Sequence, residues 1–260
     1  MKYLLALILA MVFTGGAQAK VVSKTVEYRQ DGTILEGYLA YDDAIKGPRP
    51  GVLVVHEWWG LNDFAKAQAR RLAEMGYVAF AADMYGKGVV TKDPKEAARL
   101  AGQVRGTPLL RPRVQAAFQQ LKQNKLADPQ RLAAIGFCFG GTAVLELAYS
   151  GADLAGVVSF HGGLIPLKAE DMKTVKARFL VLHGADDPHE KPEVIAAFQE
   201  GLRQAGVDWQ MIYYGDAVHA FTNPDAGQDK SKGVAYNARA AARSWKHMQL
   251  FFQEIFSRGH

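Results

Sequence analysis

From Pro50 onward, short and almost continuously apolar runs alternate with longer amphipathic stretches, and few folds accept that pattern. The apolar runs cover residues 51–56, 77–82, 132–136, 154–160, 179–183 and 209–214. Strands read this way when a parallel sheet is covered by helices above and below, because neither face meets water. Helices are expected over residues 64–75, 94–104, 112–122, 142–149 and 234–256. Ahead of them, residues 21–43 read as an antiparallel hairpin around Asp31-Gly32, a dipeptide suited to the left-handed positions of a tight turn. The expected fold class is therefore α/β: a mostly parallel sheet with helices on both faces and an N-terminal antiparallel hairpin at its edge. A hydrophobic fraction of 49% supports one large core, and residues 20–260 are expected to form a single domain.

The first nineteen residues carry a different signal. Lys2 is followed by an apolar run from Leu4 to Phe13 and then by small residues ending in Ala17-Gln18-Ala19. This is the pattern of a secretory signal peptide, with cleavage expected between Ala19 and Lys20. The run is too short to cross a bilayer, which takes about 20 residues, so no stable membrane insertion is expected after cleavage. The expected location is periplasmic or secreted. Export also bears on Cys138, the single cysteine, because a disulfide framework needs pairs. The net charge of +5 is scattered along the chain, and no basic stripe interleaved with aromatics points to nucleic acid. No spacing of histidine, cysteine and acidic residues matches a metal motif, and no cofactor is implied.

Cys138 lies in Gly136-Phe137-Cys138-Phe139-Gly140-Gly141, between an expected strand and an expected helix. Glycine on both sides of one reactive side chain is what a sharp strand-to-helix turn needs, and such a turn is a nucleophile elbow. The helix end behind the sulfur stabilises negative charge on it. In this fold the acid and then the histidine follow the nucleophile. The 179–183 strand runs into Gly184-Ala185-Asp186-Asp187, where Asp187 suits the acid and Asp186 suits a turn cap, and chemistry alone leaves both open. Of the seven histidines, His219 alone follows both nucleophile and acid on a loop after a strand. His56, His161 and His183 end strands; His189, His247 and His260 are expected at the surface. The loop His56-Glu57-Trp58-Trp59-Gly60 is placed to supply an oxyanion donor, so the backbone N–H groups of Trp58 and Phe139 are the candidates. Trp58, Trp59, Tyr85, Phe139 and Phe221 are expected to line an aromatic pocket, with His161 at its rim.

These motifs, together with Ala82-Asp83-Met84-Tyr85, His219-Ala220-Phe221 and Tyr236-Asn237, resemble the dienelactone hydrolase family of α/β-hydrolases over residues 21–256. The resemblance implies a carboxymethylenebutenolidase-like hydrolase of esters or lactones, with Cys138 as nucleophile, His219 as base and Asp187 as acid. It also implies that Glu57 engages the resting thiol and yields when substrate arrives. Family members hold a substrate carboxylate with arginines: here Arg99 or Arg105 lies in the corresponding cap region (85–110), whereas the position four residues after the histidine is Asn223. The expected partner is a small-molecule ester or lactone, met by a monomer. Two other readings keep the fold and lose the hydrolysis: a redox-sensing thiol protein and a catalytically silent binding module. For export, the expected outcome is a secreted polypeptide whose N-terminal sequence, determined after expression in a bacterial host, begins at Lys20; a cytoplasmic product retaining Met1 excludes it.

Overall fold

The computed structural model describes residues 20–257, so the expected signal segment and His260 lie outside the described residues. Strand β1 (Val21–Gln30) and strand β2 (Thr33–Asp42) pair antiparallel along their whole length, from Val21 opposite Asp42 to Gln30 opposite Thr33. Their turn residues Asp31 and Gly32 have φ of +46° and +76°, the left-handed pair whose twist matches that of the strands. Next come β3 (Arg49–Val55), helix α1 (Asp63–Glu74), β4 (Val78–Ala82), α2 (Pro94–Val104) and α3 (Leu110–Lys122). They are followed by β5 (Ala127–Phe137), α4 (Phe139–Tyr149), β6 (Gly156–Phe160), β7 (Arg178–Gly184), α5 (Pro192–Ala205), β8 (Trp209–Tyr214) and α6 (Ala238–Phe256).

One eight-stranded sheet results, in the order β1-β2-β4-β3-β5-β6-β7-β8. The hairpin joins it antiparallel through β2 and β4, and all later neighbours are parallel. Side chains alternate between faces along each strand. In β3, Leu53 and Val55 enter the core layer beneath α2 to α5, while Val52 and Val54 enter the layer beneath α1 and α6. The strand must therefore be apolar at every position. Helix α4 is buried on all sides, which explains why its sequence is apolar all round, unlike the one-sided surface helices. Among the described residues no helix is long and apolar enough to cross a membrane.

Element boundaries depart from the expected ones where a side chain or a close approach intervenes. Strand β5 begins at Ala127 because Ala127 and Asp128 pair with Arg49 and Pro50 ahead of a bulge at Gly51. Helix α4 begins at Phe139, directly after Cys138, with both glycines inside its first turn. Helix α6 begins at Ala238 instead of Val234: Asn237 caps it by accepting the Ala240 N–H at 3.0 Å, while Val234 forms a bridge with His219. Residues 233–237 thus support the histidine loop before the helix starts.

The glycines of the 136–141 turn are steric requirements. A Cβ on Gly136 would lie 1.9 Å from the Gly140 carbonyl oxygen, and one on Gly140 would lie 2.2 Å from that of Val55. Helix α4 therefore sits against the end of β3 at a distance only glycine permits. Gly140→Ala is expected to lose at least about 3 kcal/mol in urea unfolding, because backbone must move. Gly102→Ala, inside α2 with nothing near its missing Cβ, is expected to gain about 0.5–1 kcal/mol. Equal effects of the two substitutions would refute the steric account.

Candidate active site

Cys138 occupies the tip of the turn between β5 and α4 with φ +52° and ψ −115°. An L-residue adopts that conformation only under constraint, at a cost of about 1–3 kcal/mol. The constraint is visible: the Cys138 N–H donates to the Phe160 carbonyl at 3.0 Å, and the Gly141 N–H donates to the Cys138 carbonyl at 2.9 Å. The half-buried thiol is thereby held at the C-terminal edge of the sheet, in front of the α4 N-terminus.

The loop after β7 places Asp187 and the loop after β8 places His219, with His219 Nδ1 and Asp187 Oδ2 2.8 Å apart. Nδ1 carries the proton toward the carboxylate, which leaves Nε2 for the reacting partner. The Cys138 sulfur is close enough to His219 to act on its charge. Asp187 Oδ1 accepts the His189 N–H at 2.9 Å, whereas the neighbouring Asp186 is exposed and its N–H donates to the Ala217 carbonyl at 3.0 Å. Of the two aspartates left open by the sequence, Asp187 is the one that meets the histidine. The His219 N–H donates to Gly233 and the Ala235 N–H to His219, each at 3.1 Å, so the loop is fixed on both sides.

Burial disfavours charge on His219, but the proximity of the Cys138 sulfur and the hydrogen bond and charge of Asp187 outweigh it and hold the imidazole well above its usual range. Burial would likewise raise Asp187, yet His219 and the His189 N–H hold it below the usual carboxylate range. The pair is thus built to carry an imidazolium beside a carboxylate.

The five other described histidines take different places, and two of them, His161 and His247, depart from the expected arrangement. His161 is fully buried under the His219 ring, 5.3 Å between centroids, with Nε2 2.7 Å from Thr222 Oγ1; it forms the floor of the site instead of a rim. Its φ of +41° folds it inward. His189 is exposed as expected, but its ring packs edge-on against His219 at 5.0 Å. His183 is buried against Tyr213, and His56 is buried with Nε2 accepting the Met84 N–H at 3.2 Å. His247, expected to be solvated, is half-buried and pairs with the Tyr214 hydroxyl at 2.7 Å.

Trp58 and Phe139 flank the turn, and neither backbone N–H is used in a hydrogen bond to another described residue. Trp58, Trp59 and Tyr85 are half-buried, with the indoles edge-to-face at 4.9 Å and the Tyr85 hydroxyl donating to the Trp58 carbonyl at 3.0 Å. Asp83 fixes Tyr85 by accepting the N–H groups of Tyr85 and Gly86, both at 2.9 Å. Phe221, expected in the pocket wall, is wholly buried against Tyr214 and His161 and belongs to the core. The Phe139 ring is equally buried, on His56 and Tyr85, so only its backbone faces the thiol. Of the two cap arginines, Arg99 is tied to Glu96 on the surface, whereas the charge of Arg105 is felt at Tyr85 and Glu190.

Glu57 departs most from expectation. Its carboxyl is buried and accepts a hydrogen bond from Asn223 Nδ2 at 2.6 Å, and it makes none to the thiol. Burial pushes it up to about 7, against the Asn223 hydrogen bond and the charge of His219, which favour ionisation. Among the described residues no group of three or more histidine, cysteine or acidic side chains is arranged to hold a metal ion.

A carboxyl raised from 4.5 to about 7 binds its proton more tightly folded than unfolded. Its stabilising contribution is complete below pH 4.5 and is lost as pH rises to about 7. Glu57→Gln is therefore expected to be no more stable than the native chain at pH 4 but more stable at pH 8 by about 3 kcal/mol, measured by urea unfolding across pH. Parallel pH profiles for the two proteins would remove the raised carboxyl from the account.

Comparison with known proteins agrees with this geometry. The model of the dienelactone hydrolase family matches residues 35–256. A dienelactone hydrolase-like promiscuous phosphotriesterase from metagenomic libraries is 43% identical, with 91% of this chain and 99% of that one covered at a TM-score of 0.87. A solved protein called m3DLH is 42% identical, with the same coverage and a TM-score of 0.88. Protein usf of Aquifex pyrophilus is 30% identical over 91% of this chain and all of its own. A relative in Aquifex aeolicus, provisionally named a carboxymethylenebutenolidase, is 29% identical over 89% of this chain and 98% of its own. With the family model spanning most of the sheet and both ends of the site, the chain belongs to the dienelactone hydrolase family of hydrolases, on an α/β-hydrolase fold.

Proposed function

We propose that this protein hydrolyses carboxylic esters or lactones through a thioester on Cys138, acting outside the cytoplasm as a single-domain monomer. The observation that carries this is the strained turn that holds the Cys138 sulfur beside the hydrogen-bonded His219–Asp187 pair. A nucleophile, a base and an orienting acid on three separate strand ends make the arrangement of acyl-transfer catalysis.

His219 takes the thiol proton, and Asp187 stabilises the resulting imidazolium. The thiolate attacks the substrate carbonyl carbon, forming a C–S bond as the carbonyl electron pair moves onto oxygen. The N–H groups of Phe139 and Trp58 hold that oxyanion, and each such donor contributes about 2.7–4 kcal/mol to lowering the barrier. Collapse breaks the C–O bond, and His219 returns the proton to the leaving alkoxide. Water then gives its proton to His219 and its oxygen to the thioester carbonyl, releasing the carboxylic acid and restoring the thiol. Trp58, Trp59 and Tyr85 provide the aromatic walls. Glu57 gates the step: turned toward sulfur it opposes the thiolate, and held on Asn223 it leaves the thiol clear for substrate.

The phosphotriesterase activity named for the metagenomic relative gives a second electrophile to test, since a neutral phosphotriester also gathers negative charge on one oxygen when attacked. With p-nitrophenyl acetate, a burst of one p-nitrophenol per chain and turnover abolished by iodoacetamide are expected. Cys138→Ala and His219→Ala are each expected to lower kcat/KM by about 1,000-fold or more with circular dichroism unchanged. Alkylation without ester turnover would support the redox-sensing thiol, and neither response would support the silent binding module. Full activity in Cys138→Ala would overturn the proposal.

A further inference from the structure

We propose that Asn223 sets the substrate class, making this site selective for esters whose acyl group is uncharged. This rests on the acyl-transfer reading above and concerns what that site admits.

Asn223 is only 4% exposed, and Glu57 2%. The asparagine is fixed at three points. Its backbone N–H donates to the Ala220 carbonyl at 2.9 Å, Oδ1 accepts the Asp225 N–H at 3.0 Å, and Nδ2 donates to Glu57 Oε2 at 2.6 Å. The second bond settles the orientation of the amide, because Oδ1 is committed to an N–H and only the NH2 remains for Glu57. This partner is neutral. Among the described residues no lysine or arginine forms an ion pair with Glu57, and the charged groups that act on it are His219, which attracts its negative charge, and Asp225, which repels it. His56 touches the glutamate only through its backbone carbonyl. Arg105 acts on Tyr85 and Glu190 and not on Glu57, and Glu190 already offers it a carboxylate.

The consequences follow from charge placement. An acyl chain ending in a carboxylate would be brought beside a buried acid with no fixed cation to offset it, and like charges juxtaposed in a buried site discriminate strongly. An uncharged chain meets no such penalty. An amide donor also serves Glu57 in either protonation state, whereas a cation at the same position would enforce the ionised one.

Two esters of equal length and equal leaving group isolate this effect: p-nitrophenyl valerate and the anionic mono-p-nitrophenyl glutarate. At pH 8 the native protein is expected to favour the valerate in kcat/KM by about 100-fold. Asn223→Lys and Glu57→Gln are each expected to narrow that ratio by about tenfold or more, and the near-isosteric Asn223→Asp to widen it. General damage to the fold lowers both rates together and leaves the ratio unchanged, so the ratio reports specificity alone. A native ratio within about threefold of unity, or a ratio indifferent to both Asn223 substitutions, overturns the inference while leaving ester hydrolysis standing. Failure to hydrolyse either ester overturns the acyl-transfer reading and this inference with it.

Discussion

The contact between the Cys138 turn and the end of β3 is the constraint on which the rest of the structure depends. Gly140 lies so close to the Val55 carbonyl that no side chain fits between them, and Gly136 lies equally close to Gly140. This contact brings the N-terminus of a fully buried helix up to the edge of the sheet. It also holds Cys138 in a backbone conformation that would otherwise relax. The same approach places the start of the loop after β3, which carries Glu57 and Trp58, against the same turn, so candidate nucleophile and candidate oxyanion donors share one origin.

A second frame is laid over the first by the chain between β8 and α6. Gly233 packs against Pro188 so tightly that a Cβ would lie 2.4 Å from the ring, and its carbonyl accepts the His219 N–H. The acid loop and the histidine loop are therefore braced by one segment, and the 2.8 Å contact of His219 with Asp187 follows from the backbone on both sides. The positive φ values at His161 and Ala220 lie in the same region, so strain collects where side chains must converge. The cohesion of the two core layers, each filled by alternate residues of the same strands, offsets that strain.

Much of this was legible in the sequence. The parallel strands were visible because burial on both faces leaves only apolar residues, and the elbow because its glycines are steric necessities. The start of α6 was hidden: its apolar periodicity extends back toward Val234, but pairing with His219 and the Asn237 cap override it. The Asp186–Asp187 choice needed geometry, since two adjacent carboxylates differ only in which way a turn points them. His161 ends its strand as expected, yet one positive φ turns its ring beneath the site. The Glu57–Asn223 contact joins residues 166 positions apart and carries no local periodicity, so only the assembled fold reveals it.

That contact and the His219–Asp187 pair together show how charge is arranged around the sulfur. Both are carboxyl groups with a nitrogen donor, and burial acts on both in the same direction. Asp187 faces a group that can become a cation, so it stays ionised and stabilises the proton taken up by His219. Glu57 faces an amide that cannot, so burial prevails and the group holds its proton to near neutrality. The identity of the donor, more than the depth of burial, decides which carboxyl carries charge. In the proposed acyl transfer a thiolate on Cys138 would meet a cation on His219, while Glu57, hydrogen-bonded to Asn223, is a neutral acid below about pH 7. On that proposal, the protonation of Glu57 decides whether the charge on His219 is shared with a second carboxylate besides Asp187.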